Sequence, residues 1–340
     1  MTLTNPSRLI RKYADDFGHR LLIVNPMADG LIPELNRDGI EVIACSHDYL
    51  VQRHLQQLQV SPLHFGCQPQ LGDLSRIDAA ILVLPQAKAL AAHLMQWLAS
   101  VLPAHTPTYL VGDNKGGIKS ATKAMAVQFD QVSKFASGAH CQMIAGLSQP
   151  CEAPALTADQ PRVIDTQLGQ LPLCALPGVF SQGELDAGTE LLLQHLPPLT
   201  GRVLDFGCGA GVIGALIKQR APQTKVEMVD INAFALACTQ ATLAASNLEA
   251  KVYPSDGFSD IDGEFDLIVS NPPFHHAGKQ TFATAEHFIA HARRHLKPGG
   301  QLVFVANHHL PYGDALQAAF GRVNIVAQDK KFKIYADRRV

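Results

Sequence analysis

The chain has 340 residues, more than one compact core usually organises, so two domains are expected. Hydrophobic residues make up 47% and charged residues 17%, which excludes a disordered or solvating polymer. Lys and Arg number 28 against 30 Asp and Glu, a formal charge of −2, so there is no global basic field and any polyanion contact must be local.

Met1 to Arg11 lacks the apolar core of a signal peptide, and no stretch approaches the roughly 18 apolar residues of a membrane helix. A cytoplasmic protein with no membrane partner is therefore expected. Apolar runs at Leu21 to Val24, Glu41 to Ala44, Ala80 to Leu84 and Tyr109 to Val111 alternate with helix-like stretches and predict an α/β layer. Asn25-Pro-Met-Ala-Asp-Gly30 follows the first run with a single glycine, and Cys45-Ser46-His47 follows the second with no carboxylate. From Gln149 to Leu173 prolines are dense enough to favour a connector or short strands over helices. The predicted organisation is a first domain at 1–150, a linker at 151–175 and a second domain at 176–340.

In the second half the candidate strands are Arg202 to Phe206, Val226 to Val229, Lys251 to Tyr253, Leu267 to Val269, Leu302 to Val305 and Phe332 to Tyr335, a βαβ alternation on one open sheet. The halves also resemble each other. Asp78-Ala-Ala-Ile-Leu-Val-Leu-Pro85 parallels Asp266-Leu-Ile-Val-Ser-Asn-Pro272, and Leu102-Pro103 before Tyr109 parallels Lys297-Pro298 before Leu302. On a duplication, the first copy lacks the second copy's glycines and carboxylate and is expected not to hold its ligand.

The stretch Val203-Leu-Asp-Phe-Gly-Cys-Gly-Ala-Gly-Val-Ile-Gly214 runs a strand into Gly207, Gly209 and Gly211, which permit a tight turn and close backbone approach by a ligand. Read from Gly209, the dinucleotide spacing is also met at Gly211 and Gly214, so NAD stays open on spacing alone. Asp230, ending the second strand, is placed to accept hydrogen bonds from both hydroxyls of a ribose. Asp256, after the third strand, suits an adenine amino group with Phe258 against the ring, although a turn at Asp256-Gly257 accounts for the pair equally.

Asn271-Pro-Pro-Phe274, at the carboxyl end of a strand, tips the choice from a dinucleotide enzyme to group transfer onto an amine. An exocyclic amine on a base is a poor nucleophile because its lone pair is delocalised into the ring. The side-chain oxygen of Asn271 and the backbone oxygen of Pro272 can accept its two N–H bonds, and Phe274 can stack on the base. These three are the candidate catalytic residues.

Asp205-Phe-Gly-Cys-Gly-Ala-Gly211, Asp230, Asn271-Pro-Pro-Phe274 and Lys297-Pro-Gly-Gly300 together resemble class I S-adenosylmethionine-dependent methyltransferases. Leu176-Pro-Gly-Val-Phe-Ser181, Leu185-Asp-Ala-Gly-Thr189, Val305-Ala-Asn307 and Gly112-Asp-Asn-Lys115 resemble more narrowly the bacterial small-subunit ribosomal RNA guanine-N2 methyltransferase C family, over nearly the whole chain. The resemblance implies two tandem Rossmann-like methyltransferase domains, each a mostly parallel open sheet with helices on both faces, the first degenerate and the second catalytic. It implies S-adenosylmethionine as cofactor, with Gly207, Gly209 and Gly211 under its methionine part, Asp205 steadying its ammonium, Asp230 on its ribose, and Phe180 and Ser181 closing the pocket. Substrate contacts are expected from Pro273, His275 and Lys279. Asp113, where a Glu is expected, and His276-Ala277, where Asp-Gly is commoner, depart from the family pattern without touching these contacts.

The expected activity is transfer of a methyl group to guanine N2 in 16S ribosomal RNA, within the small subunit, by a monomer without a metal. A large-subunit guanine-N2 enzyme, an adenine-N6 DNA enzyme, a glutamine-N5 protein methylase and a non-catalytic RNA-binding or assembly module are the rivals. His287, His291 and His295 share a helical face, but Phe288 replaces the glutamate of a zinc-protease motif, so a partly buried histidine face is expected. The seven cysteines include no Cys-x-x-Cys pair and read as buried thiols, Cys208 as small filler rather than a nucleophile. From Arg322 onward six Lys or Arg stand against two Asp, a candidate phosphate-contacting cluster.

Overall fold

The computed structural model describes residues 2–156, 161–180, 184–272 and 280–340, with 280–285 as backbone only. It divides into two compact units, Met1–Leu156 and Thr157–Val340.

The first unit runs α1 (Asn5–Lys12), β1 (Arg20–Val24), α2 (Leu31–Arg37), β2 (Glu41–Ser46), α3 (Tyr49–Gln57), β3 (Leu63–Phe65), β4 (Ala79–Val83), α4 (Lys88–Val101), β5 (Pro107–Asp113), α5 (Ile118–Met125), β6 (Phe129–Gly138) and β7 (Cys141–Ser148). Its sheet has the order β3-β2-β1-β4-β5-β7-β6. Strands β1 to β5 pair in parallel, and β7 runs antiparallel between β5 and β6. Continuous apolar runs such as Leu21 to Val24 are buried on both faces, as helix-covered parallel strands require.

The second unit opens with a hairpin, β8 (Arg162–Thr166) and β9 (Gly169–Leu173), followed by α6 (Ala187–Leu193), β10 (Arg202–Phe206), α7 (Val212–Arg220), β11 (Lys225–Asp230), α8 (Ala233–Ala245), β12 (Lys251–Pro254), β13 (Phe265–Ser270), α9 (Gln280–Arg294), β14 (Leu296–Asn307), α10 (Gly313–Phe320), β15 (Ile325–Gln328) and β16 (Phe332–Arg338). The sheet order β12-β11-β10-β13-β14-β16-β15 repeats that of the first unit strand for strand. In both, the order reverses beside the first strand, between β1 and β4 and between β10 and β13. The carboxyl edge at such a reversal is where open α/β sheets hold ligands.

Two sequence expectations need correction. The run Phe332 to Tyr335, expected as one more parallel strand, pairs antiparallel to β14, because β15 and β16 form a hairpin that inserts β16 into the sheet. The stretch 151–175, expected as a linker, carries the β8–β9 hairpin, which packs on α7 and α8. Ile164, Leu171 and Leu173 are buried there, and Cys174 N–H donates to Thr242 Oγ1 at 3.2 Å, so these residues belong to the second unit.

Each first strand is locked by one carboxylate. Asp78 Oδ2 accepts His19 N–H at 2.7 Å and Arg20 N–H at 2.9 Å, and Asp266 Oδ2 accepts Arg202 N–H at 2.7 Å. The approach demands glycine in both places. A Cβ on Gly18 (φ +82°) would come within 2.5 Å of Asp78, and one on Gly201 (φ +71°) within 2.1 Å of Asp266.

At the amino edge of the second sheet Glu227 gathers Arg202 (2.6 Å), Tyr253 (2.8 Å) and Lys251 (3.5 Å). Burial works against its charge, but the Tyr253 and Arg202 hydrogen bonds prevail and hold the carboxyl below its usual range. An aromatic core of Phe258, Phe265, Phe288, Phe304, Tyr312 and Tyr335 lies between the sheet and α9 and α10, each side chain contributing roughly 1.5–3 kcal/mol by burial. Among the described residues no helix is long and apolar enough to cross a membrane.

Candidate active site

The carboxyl ends of β10, β11 and β13 bring the site residues together. Gly207, Gly209 and Gly211 have φ of +72°, +56° and +84°, a left-handed path that side chains rarely take. Their roles differ. A Cβ on Gly207 or Gly209 would meet nothing within 4 Å, so these two leave open space over the turn, whereas one on Gly211 would press against Thr239 at 3.1 Å. Gly214 is a packing residue, since a Cβ there would lie 2.6 Å from Met228 Cε. The spacing that keeps NAD open in the sequence is thus explained by helix–strand contact.

Asp230 is tied to this turn. Its Oδ2 accepts Gly209 N–H at 2.9 Å and its Oδ1 accepts Asn232 N–H at 2.9 Å, which fixes the carboxylate at the edge of the turn. Beneath the turn Asp205 is fully buried. Its Oδ2 accepts Gly214 N–H at 2.8 Å, and its Oδ1 has no hydrogen-bond partner among the described residues. Burial, aided by the nearby Asp230 charge and opposed by the Gly214 hydrogen bond, pushes its carboxyl up to about 7. An orphaned buried oxygen, an open glycine cradle and a fixed carboxylate together fit a ligand that carries positive charge and vicinal hydroxyls.

Cys208 faces inward, 3.3 Å from Thr239 Oγ1, and burial with the charges of Asp230 and Asp205 drives its thiol well above the usual range, the opposite of an activated nucleophile.

Across the order reversal, Ser270 Oγ donates to Phe206 O at 2.7 Å and ties the end of β13 to the end of β10. Asn271 follows. Its Nδ2 donates to Asp186 Oδ2 at 3.0 Å and Thr189 Oγ1 at 2.9 Å. A carboxylate can only accept, so it must face the amide nitrogen, and the Asn271 side-chain oxygen is left as an acceptor. Asp186 also caps α6 by accepting Thr189 N–H at 3.1 Å. These two residues are missing from the sequence-derived set of site residues. Their signal lies in Leu185-Asp-Ala-Gly-Thr189, but a partner 82 to 85 residues away has no local pattern.

Pro272 is buried at the strand end. Phe274, Pro273, His275 and Lys279, and Ser181 of the expected closing pair, lie outside the described residues. Phe180 is exposed. Asp256 sits in the turn after β12, its carbonyl accepting Ser259 N–H at 3.2 Å. Phe258 is not an adenine platform. It is 8% exposed and stacks on Phe206 (centroids 4.6 Å apart) and His295 (4.9 Å), because its ring completes the core beneath α9.

The histidine face also points partly into this core. His295 stacks on Phe258, and His291 lies 4.0 Å from the His287 ring and is held below its usual range by burial first and then by His287, Arg294 and His295.

The C-terminal basic residues do not form one patch. Arg338 pairs with Gln301 and Lys333 with Ala306, so β16 carries Arg338 to the amino edge of the sheet and Lys333 to the carboxyl edge. Arg339 is held at the amino edge by Glu264, at 2.6 Å. Lys330 and Lys331, with His308 and His309, line a pocket of about 360 Å³ at the carboxyl edge. Phe332, in the same pocket, lies against Gly188 of the turn that holds Asn271, since a Cβ on Gly188 would be 3.2 Å from its ring.

A sheet of this order, with a glycine turn and carboxylate on one side of the reversal and Asn-Pro on the other, defines the class known as the methyltransferase small domain. Its family model matches residues 170–336, and that of the methyltransferase small domain N-terminal region matches residues 7–158. Proteins described as ribosomal RNA small subunit methyltransferase C are similar over full length. That of Shewanella loihica is 40% identical over 346 residues, covering 99% of each chain, and that of Shewanella baltica 42% identical over 342 residues, covering 98% of each. Among solved structures, a T. thermophilus 16S rRNA N2 G1207 methyltransferase in complex with AdoMet and guanosine is 25% identical with a TM-score of 0.82, over 98% of this chain and 91% of that one. The chain belongs to the ribosomal RNA small subunit methyltransferase C family.

Proposed function

We propose that this protein transfers the methyl group of S-adenosylmethionine to the exocyclic N2 of a guanine in 16S ribosomal RNA. The observation that carries the reading is the fixed Asn271 carboxamide: with its nitrogen tied to Asp186 and Thr189, its oxygen is preorganised as an acceptor at the strand edge. Membership of the family supplies the substrate class.

When bound, S-adenosylmethionine supplies a methyl group on a positively charged sulfur. The chain's own residues do the rest. Gly207, Gly209 and Gly211 form the cradle for its methionine part. Asp230, oriented by Gly209 and Asn232, accepts from the ribose hydroxyls, and Asp256 takes the adenine amino group. Asp205 sets the charge under the turn, ionising when a cation lies above it. Asn271 Oδ1 and the Pro272 carbonyl accept the two N–H bonds of the guanine amine, which draws the nitrogen toward tetrahedral geometry and exposes its lone pair. Phe274 stacks on the base, Pro273, His275 and Lys279 contact the substrate, and Phe180 with Ser181 closes the cofactor pocket. The base must leave its stack to reach these groups.

The substrate is the RNA in the small subunit, the enzyme acts as a monomer, and the second unit, expected at 176–340 and extended by the β8–β9 hairpin, is the catalytic domain. The first unit, read as a degenerate domain over 1–150, binds no cofactor. Asn25 replaces Gly207 at its turn, Ser46 stands at the strand end that carries Asp230 in the second unit, and Asp29 is engaged by Thr4 N–H (2.8 Å), Thr4 Oγ1 (2.8 Å) and Leu31 N–H (3.1 Å). Incubating the protein and tritium-labelled S-adenosylmethionine with isolated small subunits, and in parallel with large subunits and DNA, tests the whole. Label is expected in 16S RNA as N2-methylguanine, and label in large-subunit RNA, DNA, protein or nowhere overturns the reading. Titration calorimetry is expected to give one cofactor per chain.

A further inference from the structure

The first unit holds a cavity of about 530 Å³ at the carboxyl ends of β4 and β5, between α4 and α5, a size that suits a small organic ligand. Leu84, Pro85, Ala91 and Met95 make its inner wall apolar. Its mouth carries Lys88 from the first turn of α4 and Lys115 from the loop before α5, both exposed. Gly117 enters α5 at φ +88°, which puts backbone rather than a side chain at the rim.

Charge around the cavity is one-sided. Between residues 84 and 126 four lysines stand against one carboxylate, Asp113, which accepts the Cys141 thiol at 3.2 Å. Among the described residues none of Lys88, Lys115, Lys119 and Lys123 has an ion-pair partner. Lys119 and Lys123, four apart on α5, lie on one helical face and continue the positive line away from the cavity. A single phosphate needs only the two lysines at the mouth, whereas a polyanionic strand uses the whole line.

The cavity occupies the edge that in the second unit carries Asn271. Strands β4 and β13 align from Asp78 and Asp266, and five residues on Val83 stands where β13 is followed by Asn271. Val83 offers no side-chain acceptor, so this edge can bind a base but not activate its amine.

We infer that this cavity is a binding site for one unpaired nucleotide of the RNA substrate, the base against the apolar wall and its phosphates on Lys88 and Lys115, with the neighbouring backbone running along Lys119 and Lys123. The assignment rests on RNA being the substrate.

The test uses the full chain and a fluorescent single-stranded RNA oligonucleotide, with affinity read by anisotropy across a salt series. The double substitution Lys88→Glu and Lys115→Glu is expected to weaken binding at least tenfold and to lower the log–log salt slope by about 1.4, at roughly 0.7 per lost phosphate contact on a single strand. Ala124→Trp, which fills the cavity from a half-buried position without changing charge, is expected to weaken binding severalfold. Cofactor affinity, by calorimetry, is expected to stay at the wild-type value in both variants. RNA containing 4-thiouridine is expected to crosslink to the peptides spanning 84–95 or 115–124. Wild-type RNA affinity in either variant, crosslinks confined to the second unit, or full competition by free guanosine monophosphate at comparable concentration would each overturn the site. If wild type methylates RNA and the variants bind it normally, this site alone fails. If RNA binds here but receives no methyl group, the proposed reaction fails and the site stands.

Discussion

The two units are one fold used twice, and they differ where the strands end rather than where they begin. At the amino edge both first strands are locked by a carboxylate packed against a left-handed glycine, Asp78 with Gly18 and Asp266 with Gly201. The backbone of the first turn is kept as well, since Asn25 N–H donates to Cys45 O and Gly207 N–H to Val229 O, both at 2.9 Å. At the carboxyl edge the copies part. Residues 25–30 form a turn one residue longer than 207–211, Asn25 Nδ2 donates to Val83 O at 2.7 Å across the reversal, and β2 ends in Ser46 where β11 ends in Asp230. A duplicated sheet keeps its fold through contacts at one edge while the other is free to gain or lose chemistry.

The sharpest way to break this contrast is to give the second unit the features of the first. Asn271→Val, the residue of the first unit, is expected to lower methyl transfer by about 10²–10³, the usual effect of removing a preorganised polar group at a reacting centre, while calorimetry shows cofactor affinity unchanged. Near-normal turnover would end the acceptor role.

Asp230→Ser copies Ser46 and is expected to weaken cofactor binding by roughly 10- to 100-fold, as loss of charge-assisted hydrogen bonds does. Unchanged affinity would remove the ribose assignment.

Asp186 and Thr189 position Asn271 without touching the base. Thr189→Val is expected to lower kcat by about 3- to 10-fold with KM for RNA and cofactor affinity near wild type, consistent with the net worth of one hydrogen bond. Thr189→Ser is expected to restore kcat. A change in cofactor affinity instead of kcat would assign Thr189 to folding alone.

Asp205 offers a titration that the first unit cannot show. Its folded carboxyl sits at about 7 against an ordinary 3.8, so the folded state holds a proton that the unfolded state has released between those values. Stability from this group is therefore fully present below about pH 4 and lost as pH rises toward 7. A cationic ligand above the turn favours the ionised form, so cofactor binding near pH 6 is expected to release protons, seen as buffer-dependent heats in calorimetry. Asp205→Asn is expected to remove both effects. Buffer-independent heats in wild type would show that the ligand's charge does not reach this carboxyl.

The smallest effect is expected from Gly207→Asn. Asn25 takes the same backbone place at φ +56°, so stability by chemical denaturation is expected to change by no more than about 1 kcal/mol, while cofactor affinity falls because a side chain enters open space. Severe unfolding would show that the two turns are not interchangeable backbones.

Much of this is legible in the chain. Buried parallel strands announce themselves as short apolar runs and left-handed turns as glycines, so Val203 to Phe206 leading into Gly207, Gly209 and Gly211 is enough to place β10, its turn and the start of α7. The β6–β7 pair, the antiparallel direction of β16 and the hairpin inside the expected linker are not legible, because strand direction and docking depend on partners distant in sequence. Phe258 reads as a ligand contact in the sequence and belongs to the core in the fold, since an aromatic after a strand looks the same in either role until its neighbours Phe206 and His295 are known.

By itself the sequence determined the α/β alternation, the duplication, the chemical types at the reacting edge and the family, because these depend on local spacing and residue identity. Only the tertiary structure decided that Asp186 and Thr189 orient Asn271, that Asp205 lies buried with one oxygen unpaired among the described residues, and that the C-terminal cations divide between two edges. Those facts are made by residues that meet through folding, and burial and hydrogen-bond direction exist only once they have met.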